Sequence, residues 1–100
     1  MKNIFEEISK AESAWHSEQI GEINKNPAFV RVMQGIEAPF HIHKNSDEMF
    51  IVLEGELYID MKNESICLNK GQSYTVLAGT EHRARVPISA HLIVIGGKDA

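Results

Sequence analysis

The sequence predicts an all-β fold, a sandwich or barrel of short strands, and three observations carry that prediction. Apolar residues recur with period two in short stretches along most of the chain. Those stretches are separated by close-set turns built from Gly, Asn and Pro. No helical stretch stands between them to make parallel crossovers, so the strands must pair antiparallel.

Taken in order, residues 3–10 are predicted to form a short helix. Asn3 can cap it, Glu6 and Glu7 suit its first turn, and Ile4, Phe5 and Ile8 supply an apolar face. Residues 16–23 fit an edge strand ended by the turn Asn24-Lys25-Asn26-Pro27. Residues 28–34 fit a strand closed by Gly35, and residues 39–43 another. Residues 49–53 and 57–61 are expected as the two arms of a hairpin about Glu54-Gly55-Glu56. Strands at 65–68, 73–77 and 82–86 follow, and Pro87 is expected to break the run before a last strand at 90–95 ended by Gly96-Gly97. The 49–53 strand is apolar on both sides, so its second face needs a cover. The N-terminal segment or a second subunit would supply one, and a homodimer is expected on that ground.

One hundred residues suffice for one core and not for two. A single domain over residues 1–100 is expected, with residues 1–14 as an N-terminal helical segment packing on its body. The content of 43% hydrophobic and 24% charged residues is that of a globular protein. A net charge of −4, with no basic cluster tighter than Arg83 and Arg85, argues against a nucleic-acid partner. The opening MKNIFEEISK has no long apolar run, so neither a signal peptide nor a membrane partner is expected. Cys67 stands alone, which excludes an intrachain disulfide and favours the reducing cytoplasm.

The chemistry-bearing residues are His41, His43, Glu48 and His82. Two histidines two apart on a strand project from the same face, with Ile42 turned to the opposite apolar layer. If the next strand pairs antiparallel with theirs, Glu48 lands beside them, and His82, at the start of a later strand, completes a four-ligand set. Three imidazoles and one carboxylate suit one divalent ion of Fe, Mn, Zn, Ni or Cu. Asp47 is placed to accept a histidine N–H behind the ligands. Arg31 interrupts the apolar run Phe29-Val30-Arg31-Val32-Met33. It either reaches inward to clamp a substrate carboxylate or snorkels outward to solvent. His16 is expected as a solvated histidine, His91 as a satisfied core or edge histidine, Cys67 as a small buried hydrophobe, and Trp15 as an anchor of the N-terminal segment.

The order Gly35, five residues, His41, one, His43, four, Glu48, six, Gly55 resembles the first motif of the cupin superfamily. Its second motif is partly present as Gly71, five residues, Leu77, one, Gly79, two, His82, three, Val86. Leu77 stands where the family usually has Pro, and Val86 where it usually has Asn. The resemblance is to the small cupins labelled mannose-6-phosphate-isomerase-like. It implies a jelly-roll β-barrel with the short helix at its N-terminus and a metal ion inside the mouth. It further implies a metal-dependent dioxygenase, isomerase, decarboxylase or lyase acting on a small oxygenated or carboxylated molecule, or a small-ligand-binding or sensing protein without turnover. In such a scheme Glu48 is a fourth ligand or a base that takes a substrate proton.

Overall fold

The computed structural model describes residues 1–98. Helix α1 (Ile4–Ser9) precedes six strands: β1 (Trp15–Ile23), β2 (Asn26–Glu37), β3 (Glu48–Met61), β4 (Ser65–Asn69), β5 (Ser73–Val76) and β6 (His82–Gly96). Every pairing is antiparallel, in the order β1-β2-β6-β3-β4, with β5 also on β3. Asn3 caps α1 as expected, its side chain accepting from the backbone N–H groups of Phe5 and Glu6.

Three expected breaks are absent: at Glu54-Gly55-Glu56, at Pro87, and at Gly35, which β2 runs through to Glu37. Residues 49–53 and 57–61 do not form a hairpin; they are one strand, and both halves pair with β6. Glu54-Gly55-Glu56 is a bend inside that strand. Gly55 takes φ +84°, and a Cβ there would lie 2.1 Å from the carbonyl oxygen of Ser89, so only glycine lets the two strands approach this closely. Pro87 likewise does not end its strand. It falls where the β6 ladder to β2 skips from Ser89 to Val86, so the missing N–H is not required. Strand β2 shifts register at the same level, at Gly35.

The three long strands therefore bend together and the sheet folds over on itself. A straight strand of the length of β3 would run about 46 Å, longer than the greatest extent of the molecule, 35 Å. Along the ladder Glu48 pairs with Gly96 and Met61 pairs with His82, the two ends of β3. The fold-over brings those ends together, and Glu48 meets His82 across the interior.

Inward residues from both halves close the core: Met33, Phe50, Val52, Leu57, Ile59, Val86, Leu92 and Val94 are all buried. On the outer face Val30 and Val32 are also buried, and α1 packs against β2 there. Beside that cover Met49 is 38% exposed, with Ile51, Leu53, Ile93 and Ile95 partly buried. The segment 39–43 is not a strand; only His41 pairs, with His82. Ile42 and Cys67 are exposed rather than buried. Among the described residues no helix is long and apolar enough to cross a membrane.

Candidate metal centre

Each of the four expected ligands comes from a differently held piece of chain. His41 is clasped to the start of β6, its N–H donating to the His82 carbonyl and its carbonyl accepting from the His82 N–H, both at 3.0 Å. The His43 carbonyl accepts from the N–H of Gly79 at 2.8 Å, which ties the 77–81 turn to the histidine segment. Glu48 opens β3, between β5 and β6. His41 and His43 both turn toward Glu48 although they lie outside any strand, with the backbone of each tied by hydrogen bonds, to His82 and to Gly79. Asp47 does not support a histidine ring: its Oδ1 accepts from the backbone N–H of Ala78 at 2.8 Å.

The structure brings the four together around one point. Glu48 Oε1 lies 2.8 Å from His82 Nε2, 3.6 Å from His43 Nε2 and 4.0 Å from His41 Nε2. One ligand atom from each residue lies within 4.8 Å of the other three. The ring nitrogens on the far side are committed elsewhere. His41 Nδ1 is 3.1 Å from the Pro39 carbonyl and His82 Nδ1 is 2.9 Å from the Thr80 carbonyl. A carbonyl only accepts, so both Nδ1 atoms carry the proton and both Nε2 lone pairs turn toward Glu48. Between two lone pairs something positive must sit, a proton or a metal ion. This tautomer pattern and donor set fit a divalent ion.

The electrostatics agree. Burial pulls the His82 pKa down. The hydrogen bond to Glu48, the bond to the Thr80 carbonyl and the Glu48 charge outweigh it, and the result lies above the ordinary histidine value. Burial pushes the Glu48 carboxyl up. The His82 hydrogen bond and the charges of His43, His82 and Arg31 outweigh that in turn, holding it below the ordinary carboxylate value. Access is one-sided: the His41 side chain is 38% exposed and His82 only 1%. The floor is apolar, with the Phe50 ring edge-on to His82 at 6.3 Å.

One contributor was not expected. Gly97 takes φ +70°, and a Cβ there would lie 2.4 Å from Glu48 Oε2, so this glycine makes room for the carboxylate. The Gly96-Gly97 pair was legible only as a strand end. Arg31 shares the inward face of the sheet, as its pairing with buried Leu92 requires. A separate cavity of about 530 Å³, bounded by Ile23, Asn45, Met49 and Ile95 among others, contains none of the four ligands.

The cupin domain family (Cupin_2) matches residues 28–96. An uncharacterized protein of Bacillus subtilis (strain 168), YdbB, is 37% identical over 86 residues, covering 85% of this chain and 75% of that protein. The crystal structure of a cupin-2 domain containing protein from Shewanella frigidimarina superposes with a TM-score of 0.87 at 28% identity, over 97% of this chain and 94% of that one. Protein NMB1881 from Neisseria meningitidis has the same fold, with a TM-score of 0.82 at 21% identity over 96% and 97% of the two chains.

Proposed function

The chain belongs to the cupin domain family, and from that premise we propose that it is a metal-dependent protein whose His41, His43, Glu48 and His82 hold one divalent ion and offer its open positions to a small oxygenated or carboxylated molecule. The observation that carries this reading is the convergence of four donor atoms within 4.8 Å, with the far ring nitrogens of His41 and His82 committed to carbonyls. Four protein ligands leave an octahedral ion two further positions. When bound, such an ion supplies Lewis-acid or redox chemistry at them. The protein's own part is to fix the His41 and His82 rings through their Nδ1 contacts to carbonyls, to exclude water with Phe50 and its apolar neighbours, and to keep Glu48 ionised as a ligand or as the acceptor of a substrate proton. The reaction class is that of a dioxygenase, isomerase, decarboxylase or lyase.

A second reading, ligand binding or sensing without turnover, is favoured by one observation. Among the described residues Glu48 is the only carboxylate in the cluster, and it is engaged by the histidines. Oxygen uptake by the iron-loaded protein over diketones, catechols, thiols and hydroxy acids separates the two. Saturable binding without consumption or product favours the binder.

The metal site itself is tested by elemental analysis. The purified protein is expected to hold close to one ion per chain, and the double variant His41→Ala, His43→Ala to lose it. Full metal content in that variant overturns the assignment. We also propose a homodimer packed through the outer face around Met49, Ile51 and Ile95, checked by sedimentation, and a cytoplasmic location, in keeping with the single Cys67.

A further inference from the structure

The metal site does not account for Arg31. All three arginines of the chain lie in strands. Arg83 and Arg85 face outward and are paired with Glu37 and Asp60 at 2.8 to 2.9 Å. Arg31 faces inward. It pairs across the sheet with Ser17 on one side and Leu92 on the other, and Leu92, fully buried, pairs in turn with Val52. Its Nε donates to Ser17 Oγ at 3.1 Å, and its guanidinium lies 4.9 Å from the Phe29 ring and 5.5 Å from the Trp15 ring. Among the described residues it makes no ion pair with any carboxylate. No hydrogen bond to the described residues occupies its paired terminal N–H groups, the fork that a carboxylate fits.

A partly desolvated cation with no acid beside it costs stability, and the carboxylate whose charge acts on it is Glu48 in the metal cluster. The register also describes what lies between them. The row Gln19–Phe29–Val94–Phe50 separates the row of Arg31 from the end that carries Glu48. Three of those four side chains are apolar, and Val94 and Phe50 are buried, so a ligand that reaches from Arg31 toward the metal cluster would have to meet this row with a hydrocarbon segment and not a polyhydroxylated one.

We propose that Arg31 is the carboxylate-recognising residue of this site, and that the ligand is a short-chain acid anion seated on the Arg31 fork with its far oxygen donors turned toward His41, His43, Glu48 and His82. The far end of that assignment rests on the metal reading; the Arg31 end does not.

Trp15 is the sole tryptophan and lies against Arg31, so its fluorescence reports on this end directly. The full-length protein, metal-loaded and metal-stripped, is titrated with malate, with 2-oxoglutarate and with acetylacetone as an oxygen chelator that lacks a carboxylate. The two acids are expected to shift Trp15 emission saturably. Arg31→Gln is expected to weaken them by about tenfold or more while leaving metal content and acetylacetone binding unchanged. Arg31→Gln strands no acid but gives up the Ser17 hydrogen bond and the ring contacts, so its Tm is expected to fall by no more than about 5 °C. Undiminished acid affinity in Arg31→Gln, or acids that leave Trp15 unmoved, overturns the proposal. Should Arg31→Gln fail to fold, Arg31→Lys keeps the charge and loses the fork, and full affinity there overturns it equally. Acid binding that persists through Arg31 in a protein unable to hold metal sinks the metal reading and leaves this one standing. Acetylacetone binding without acid binding does the reverse.

Discussion

Strand β3 carries two buried carboxylates, Glu48 and Asp60, each 5% exposed and each bound by side chains of β6. Their partners differ in kind. Asp60 takes a two-point contact from Arg85 at 2.8 and 3.0 Å, a third bond from Arg83 Nε and a fourth from Ser65, so every oxygen is filled by a donor that keeps its proton. Glu48 is ringed by imidazoles, which can give up a proton and accept a metal ion in its place. Their partners also differ in how they are reached. Arg83 sits directly across from Asp60 in the ladder and Arg85 across from Tyr58, so local pairing alone assembles that cluster. His82 meets Glu48 only because the sheet folds over. One acid is a closed structural pair and the other an exchangeable site.

The most disruptive way to break that comparison is at the bend. Gly55→Ala forces a left-handed conformation on a residue with a Cβ and drives that Cβ into Ser89. The expected loss is about 3–5 kcal/mol by denaturant unfolding. The folded fraction should lose metal affinity, since the Glu48–His82 contact depends on the bend, and should keep the Asp60–Arg83 pairing. Metal affinity equal to the parent's would mean that the ends of β3 meet without the bend.

Next in size is Asp60→Ala. It leaves two guanidinium groups facing a vacated acid and is expected to cost about 3 kcal/mol with metal content unchanged. Glu48→Gln should do the opposite, losing metal while costing the stripped protein little. The pH dependence separates the clusters again. The hydrogen bond from Arg85, with those from Ser65 and Arg83, holds the Asp60 pKa well below its ordinary value. Its stabilisation is therefore complete above the unfolded-state pKa, about 3.9, and is lost as pH falls through the folded-state value. Acid should weaken the parent more than it weakens Asp60→Ala. The His82 pKa is raised, so in metal-stripped protein its contribution is full below about pH 6.5 and is lost as pH rises through the folded-state value. Melting curves at pH 4 to 9 on the stripped parent, Asp60→Ala and His82→Ala read both slopes. Slopes of the same sign would break the contrast.

The difference between the clusters also explains what could be read from the chain. The four candidate ligands could be picked out because their spacing is set by local turns: two histidines two positions apart, a polar turn, an acid, and a glycine turn before His82. Their route of assembly could not. The sequence suggests that Glu48 reaches the histidines by pairing with residues 39–43, whereas it pairs with β5 and β6 and arrives by the fold-over. A glycine between two glutamates looks the same whether the chain reverses or bends, because the approach of Ser89 comes from 34 positions away. Pro87 misled for the same reason. Alternation along the strand puts Arg83 and Arg85 on the face opposite His82, but their partner Asp60 lies on another strand and needs the register to be seen. The outcomes for Ile42 and Cys67 have a related cause: period two assigns a face, and only the neighbouring strands decide whether that face is covered.

The mildest test of the comparison is Ser65→Ala. The Ser65 hydroxyl donates to Asp60 Oδ1 at 2.6 Å, a short bond to a charged acceptor, yet that oxygen also receives Arg85 Nη2 at 3.0 Å. Removing the hydroxyl therefore leaves no oxygen bare. The cost should fall near that of a single hydrogen bond, about 1 kcal/mol, a fall in Tm of about 5 °C for a domain of this size. Metal affinity should not change, because Asp60 faces outward and Glu48 inward on the same strand. If Ser65→Ala shifts metal affinity together with Tm, the two acids are energetically coupled through β3, and the division into a closed pair and an exchangeable site fails.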